Sequence, residues 1–203
     1  VQLRLALGNS YNIPAVKMLY LNTVRDMVAS ASAFGLTSLT DPDRYGLSLT
    51  LGGGEVRMID MATAFSVFAN AGIRRDLVSV LKVVDKNGKV LQEYKDQNLG
   101  RDIPSQLLLQ GPRVVSPETA FLISHILLDN NARQDAFGPN STLVIPGRAV
   151  SVKTGTTDDL RDNWTIGFTP SYVVVTWVGN NNNAPMHPTL TSGVTGAAPM
   201  WHD

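Results

Sequence analysis

Two short strings hold the residues best suited to chemistry. Ser151-Val152-Lys153-Thr154-Gly155-Thr156-Thr157 reads as an edge strand that sets a lysine and threonine hydroxyls beside a glycine. Such a row of donors suits an anionic ligand. The missing Cβ at Gly155 would let a ligand or another backbone come close to the strand. Far upstream, Ser10-Tyr11-Asn12 offers a hydroxyl and an amide in a polar loop. For the two strings to form one site, the amine of Lys153 must lie within hydrogen-bonding reach of the hydroxyl of Ser10.

The elements around them can be read from spacing. Residues 3 to 8 read as a helix end closed by Gly8-Asn9, which delivers Ser10 into a tight loop. Pro14 suits a first helical turn, with Ala15, Val16, Leu19 and Tyr20 facing inward. Thr23 caps a second helix whose Val24, Met27, Val28, Ala31 and Phe34 recur at helical spacing until Gly35. The serine loop is thus clamped between helices, the rigid setting a catalytic hydroxyl needs. Residues 36 to 51 read as loop, with a turn at Asp41-Pro42-Asp43. Gly52-Gly53-Gly54 makes a tight turn into a helix from about Arg57 to Ala71, with Met58, Met61, Ala62, Phe65, Phe68 and Ala69 on one face. The glycines are not a phosphate cradle, because no Gly-Lys-Ser/Thr follows them.

Leu77 to Val84 and Val90 to Tyr94 flank the hairpin signal Asp85-Lys86-Asn87-Gly88-Lys89. This matters because Ser79-Val80-Leu81-Lys82 fits a Ser-x-x-Lys pattern by letter. On a strand, residues three apart point to opposite faces, so that lysine could not serve that serine. Residues 95 to 115 read as a connecting segment. Ser116-Pro117-Glu118 opens a helix with Ala120, Phe121, Ser124, Leu127 and Leu128 buried. Asn130 to Gly147 is a long loop bordering the key strand. Trp164 to Phe168 and Tyr172 to Val178 read as antiparallel strands.

At 203 residues, with 43% hydrophobic and 17% charged residues, the chain suits one soluble globular domain. Basic and acidic residues balance at 17 each, which argues against nucleic-acid or membrane-surface binding driven by bulk charge. There is no cysteine, so disulfides, thiol nucleophiles and cysteine-type zinc sites are excluded. His125, His187 and His202 lack metal-ligand spacing, and no metal or other cofactor is implied. The apolar runs are too short to span a bilayer, and the chain opens in stride as an amphipathic segment, as if cut from something longer.

With both strings in view, the chain resembles the transpeptidase domain of class A penicillin-binding proteins, in which Lys-Thr-Gly is one of three short motifs. Asn9-Ser10-Tyr11-Asn12-Ile13-Pro14-Ala15-Val16 is similar to the second motif, and Lys153-Thr154-Gly155-Thr156-Thr157 to the third. Leu51-Gly52-Gly53-Gly54-Glu55-Val56, Arg161-Asp162-Asn163-Trp164 and Thr195-Gly196-Ala197-Ala198-Pro199 extend the likeness. The resemblance implies a mixed α+β, β-lactamase/transpeptidase-like fold over residues 1–203, an antiparallel sheet flanked by helices. It also implies acyl transfer on peptidoglycan stem peptides ending in D-Ala-D-Ala, and binding of β-lactams, on the outer face of a bacterial cytoplasmic membrane. Carried over to this sequence, Ser10 would relay a proton to the leaving amine and Lys153 would bond that hydroxyl and supply positive potential. Asn12 would bind the substrate backbone. Thr154 and Thr156 would hold the terminal carboxylate beside Gly155, and the Thr156 N–H would be an oxyanion donor.

The family's first motif, Ser-x-x-Lys with the nucleophile, precedes Ser-x-Asn and has no acceptable match here. The expectation is therefore a partial, N-terminally truncated domain, inactive alone, whose sheet keeps mainly its three later strands beside an exposed apolar surface. Its nucleophile helix, glycosyltransferase domain and membrane anchor would lie upstream in the same protein. Taken singly, Ser10 and Asn12 read as loop caps and Lys153 as a solvated lysine; Arg161 and Asp162 read as an ion pair, and Trp164 and Trp177 as strand-face aromatics. A Ser-His-Asp hydrolase lacks its Gly-x-Ser-x-Gly elbow. A non-catalytic scaffold that recognises peptidoglycan or β-lactams is the reading from a different class.

Overall fold

The alternating residues between 151 and 179 resolve into a three-stranded antiparallel sheet: β3 (Ser151–Thr156), β4 (Asp162–Phe168) and β5 (Val173–Gly179), in that order. The computed structural model describes residues 1–95, 111–188 and 192–203. Ahead of the sheet come helices α1 (Leu3–Gly8), α2 (Asn12–Asn22), α3 (Val24–Phe34) and α4 (Met58–Ala69). A separate hairpin of β1 (Lys82–Val84) and β2 (Val90–Glu93) follows, then α5 (Pro117–Leu128) and the short α6 (Gln134–Phe137). Helix α7 (Ala197–His202) ends the chain, and the fold is mixed α+β.

Strand alternation sends neighbouring residues to opposite faces of the sheet. Phe168 points to α4, where its ring lies 6.3 Å from those of Phe65 and Phe68. Ser151 shares that face and donates from Oγ to the Ser124 carbonyl of α5 at 2.8 Å. The opposite face is closed by α7, whose Ala198 and Trp201 join Val152 and Leu143 in one buried cluster. Asn163 and Thr165 are fully buried beneath it, Asn163 Oδ1 accepting from the Ala197 N–H at 3.0 Å. A second cluster of Leu19, Val28, Ala31, Leu39 and Leu49 holds α2 and α3 to the segment that follows them.

Local signals place most helix ends. Thr23 Oγ1 accepts from the Asp26 N–H at 3.2 Å, Gly35 closes α3 in the left-handed region, and Ser116 Oγ accepts from the Thr119 N–H ahead of Pro117. Residues 36–51, read as loop, contain 3-10 turns at Pro42–Arg44 and Leu47–Leu51.

The inward faces are less well predicted. Tyr20 is 72% exposed and Phe121 64%, whereas Leu19 and Ile126 are buried. Periodicity shows that a helix has an apolar stripe, but which neighbour covers it is a long-range fact. Along α4 the most buried positions are Asp60, Ala64 and Val67, so the buried line runs beside the expected Met58–Phe65 face. The hairpin is shorter than read: Ser79 precedes the strand, and Lys82 pairs across the ladder with Glu93 at 3.1 Å. The ladder runs from the Asp85 turn out to the bond from the Tyr94 N–H to the Leu81 carbonyl at 2.8 Å, and among the described residues no third strand extends it. Most of the connecting segment expected over 95–115 lies outside the described residues. Among the described residues no helix is long and apolar enough to cross a membrane.

Buried Asp60 anchors this helical half. It accepts from the Thr37 N–H and hydroxyl and from the Arg57 guanidinium at 2.8 to 3.2 Å. Burial alone would raise its carboxyl, but the bonds from Arg57 and Thr37 outweigh it and hold the group below its ordinary value. Its stabilisation is therefore full above the unfolded-state value and is lost as pH falls through the lower folded-state one. Asp60→Asn is expected to cost about 1–3 kcal/mol near neutral pH, and urea unfolding should show the gap to wild type closing in acid.

Candidate active site

Helix α1 ends at Gly8 with Asn9 as its cap, as the sequence suggests. Ser10 donates its N–H to the Leu7 carbonyl at 3.2 Å and Tyr11 donates to Ala6 at 3.0 Å, the paired bonds of a Schellman closure. The left-handed position of that motif, usually glycine, is filled by Ser10 at φ 58°. A side chain there costs about 1–2 kcal/mol, so the surroundings must hold Ser10 in place. Gly8 is instead the last residue of the helix, where a Cβ would stand 2.8 Å from the Ala132 carbonyl oxygen.

The strained turn aims the Ser10 hydroxyl at β3. Lys153 Nζ donates to Ser10 Oγ at 2.6 Å, across 143 positions of sequence, and to the Thr154 carbonyl, also at 2.6 Å. The ammonium is pushed down from 10.5 to about 8, chiefly by desolvation and then by the like charge of Arg133. Arg133 is itself only 4% exposed and donates to the Leu127 carbonyl at the end of α5. A cationic centre thus stands behind a serine hydroxyl that opens on solvent.

The remaining predicted residues divide by strand face. Lys153 and Gly155 share the side that carries Trp164 and Ile166. A Cβ at Gly155 would meet only Trp164, at 3.5 Å, an ordinary contact. Nothing in the chain's own packing therefore demands glycine there. Thr154 and Thr156 point to the other side. Thr154 is 9% exposed beneath Gly193, whereas exposed Thr156 accepts from the Gly193 N–H at 3.1 Å. Asn12 begins α2 and lines, with Ser10, Tyr11, Ile13, Pro14, Lys17 and Val1, an open groove of about 710 Å³. Among the described residues β3 pairs on one edge only, with β4.

Sequence reasoning did not single out Asn9 or Arg133. Asn9 stands directly before Ser10, and Arg133 ends a 3-10 turn at Asn131–Arg133, ahead of α6, in the stretch read from spacing as a long loop, but neither position carries a local signal of burial. The Arg161–Asp162 ion pair is not formed. Arg161 reaches Asp159 at 3.7 Å and the Asn183 carbonyl, while Asp162 accepts from Trp177 Nε1 at 2.9 Å and Thr157 Oγ1 at 3.1 Å. Trp164 and Trp177 are half-buried strand-face neighbours, 6.4 Å between ring centroids. His125 lies against Phe121, and His202 Nδ1 sits 2.8 Å from the Thr142 carbonyl.

The geometry thus brings together a hydroxyl in a strained turn, an adjoining lysine of lowered basicity and a strand edge open among the described residues. The penicillin-binding protein transpeptidase domain matches over residues 1–195, and the chain belongs to that family. Penicillin-binding protein 1A of Clostridium botulinum (strain Langeland) is 32% identical over 207 residues, all of this chain and 22% of that protein. The Aquifex aeolicus protein of the same name is 31% identical over all of this chain and 25% of its own length. The chain thus spans about a quarter of the curated relatives it matches, and these relatives place it with the class A proteins. Among solved structures, penicillin-binding protein 1A from Haemophilus influenzae superposes with a TM-score of 0.73 at 25% identity, over all of this chain and 33% of that one. PonA1 from Mycobacterium tuberculosis in complex with penicillin V gives 0.76 at 22% identity over 99% of this chain and 54% of that one, a likeness of fold.

Two outcomes follow from this geometry. Competitive amine labelling read by mass spectrometry should show Lys153 titrating near pH 8, and Arg133→Gln should move it upward by removing a like charge. Because the folded value lies below the ordinary one, the unfolded chain binds the extra proton between about pH 8 and 10.5, so this group's contribution to stability grows as pH rises through that window. Ser10→Gly should leave the protein more stable than Ser10→Ala by about 1 kcal/mol in thermal unfolding, since only glycine relieves the left-handed strain.

Proposed function

We propose that this chain is the substrate-holding half of a D,D-transpeptidase site, and that peptidoglycan stem peptides ending in D-Ala-D-Ala and β-lactams share its groove. The observation that carries the reading is the 2.6 Å bond from Lys153 to Ser10, which joins the two motifs on which the family resemblance rests. In this reading a serine of a Ser-x-x-Lys helix, supplied by another segment of the same protein, adds to the carbonyl between the two D-alanines. The C–N bond then breaks. Ser10 passes the serine's proton to the departing amine, and Lys153 holds the Ser10 hydroxyl and keeps the region positive. An amine of a neighbouring strand later takes the acyl group and regenerates the serine.

The other residues bind and orient. Asn12, at the groove, takes the substrate backbone. Thr156 offers its hydroxyl to the terminal carboxylate and its N–H to the developing oxyanion, a donor typically worth about 3 kcal/mol in the transition state. Thr154, buried beneath Gly193, supports the carboxylate site from behind the strand. Gly155 keeps the strand face clear for the substrate. Peptidoglycan chemistry puts the site on the extracytoplasmic side of the bacterial membrane, held there by a segment outside this chain, alongside a glycosyltransferase domain.

The Ser-x-x-Lys string at Ser79–Lys82 cannot supply the nucleophile. Its lysine is paired with Glu93 on an exposed hairpin, and no helix stacks the serine above it. This favours an isolated chain that binds without reacting, and it keeps a non-catalytic recognition scaffold as the second reading. Incubated with a β-lactam, the chain alone is expected to gain no covalent mass. A fluorescent penicillin should label the full-length protein, and Lys153→Ala should strongly slow that labelling. A full-length protein that binds penicillin reversibly but is never labelled would establish the scaffold instead.

A further inference from the structure

The bond between Ser10 and Lys153 needs an explanation at longer range. Ser10 is not held by its own element alone, because it sits past the end of α1 in a costly conformation. The support comes from residues 129–136. Arg4 pairs with Asp129 at 3.0 Å, Gly8 packs on the Ala132 carbonyl, and Tyr11 donates to Asp135 at 3.3 Å. Between these contacts lies Asn9, 4% exposed, with its amide fully used. Its Nδ2 donates to the carbonyls of Leu5 at 3.0 Å and Ala132 at 2.8 Å, and its Oδ1 accepts from the Ala136 N–H at 2.9 Å.

The same segment is tied back to the lysine strand. Arg133 binds the Leu127 carbonyl of α5, and α5 holds β3 through the bond from Ser151 to Ser124. The contacts therefore close a ring, from Ser10 through Asn9, residues 132–136, α5 and β3 to Lys153, and back to Ser10. In that ring Asn9 is the buried side chain that joins the serine turn to the rest.

We infer that Asn9 is a positioning residue, a latch that holds the Ser10 hydroxyl on the Lys153 amine by locking the strained turn to residues 132–136. It touches no reacting atom and acts only through Ser10. The inference deepens the transpeptidase reading and rests on it for its kinetic consequence, though not for its structural one.

The test uses the full-length protein and two readouts. Asn9→Ala is expected to lower the rate constant for acylation by penicillin by up to about 100-fold, the effect of a misplaced catalytic group. The dissociation constant of the complex that precedes acylation should stay unchanged. Competitive labelling should show the Lys153 midpoint above that of the wild-type full-length protein, because loss of the serine turn rehydrates the amine; the groups of this chain that face it are the Ser10 hydroxyl, the Thr154 carbonyl and the Arg133 guanidinium. Asn9→Asp, which keeps the acceptor for the Ala136 N–H but sets a carboxylate oxygen against the Leu5 and Ala132 carbonyls, should recover neither effect. Should Asn9→Ala fail to fold, Gly8→Ala serves in its place, since it favours the helix yet presses on the Ala132 carbonyl. A folded variant that keeps the wild-type Lys153 midpoint overturns the latch whatever its acylation rate. A wild-type protein that penicillin never acylates would sink the transpeptidase reading, and the midpoint would still decide the latch.

Discussion

A lysine ammonium donating to a serine hydroxyl at the end of a distant helix is the constraint from which the rest of this structure follows. A cation drawn out of water is costly unless its donors are used and its charge is offset. Here two donors are used, toward Ser10 and Thr154, and the neighbouring charge is another cation, Arg133. The arrangement is unfavourable for the chain by itself. A bound anion would relieve that self-repulsion.

The fold separates two tasks by strand alternation. One face of the central sheet carries Lys153, Gly155 and the aromatic contacts to α4, and the other carries Thr154, Thr156 and the closing helix α7. A ligand running along the free edge of β3 would meet both sets at the rim, with backbone groups between them. This is why a three-residue motif can present an amine, a hydroxyl and a bare stretch of backbone at once. The helical half contributes one strained serine turn, held against the sheet by a segment of short helices, a 3-10 turn at Asn131–Arg133 and α6.

Exposed apolar side chains on α2 and α5, such as Ile13, Leu21, Phe121 and Leu122, show how unevenly this chain buries its surface. Periodicity in those helices is sound, and the caps at Thr23, Gly35 and Ser116 stand where residue type put them. Whether a stripe is covered depends on what packs against it. Tyr20 and Phe121 were expected inside for that reason and lie outside.

Residue type and order alone determined the helices with strong caps, the antiparallel strands around the Lys-Thr-Gly motif and the identity of Ser10, Asn12 and Lys153 as candidates, because capping, alternation and short motifs are local. The tertiary structure alone decided that Ser10 takes the glycine position of a helix closure, that Asn9 and Arg133 are buried beside the site, that Arg161 pairs with Asp159, and that Asp60 lies within the helical core. The burial of Asn9, Arg133 and Asp60 depends on contacts between residues far apart in the chain. Burial and charge proximity are set by packing in three dimensions, which one-dimensional spacing does not encode.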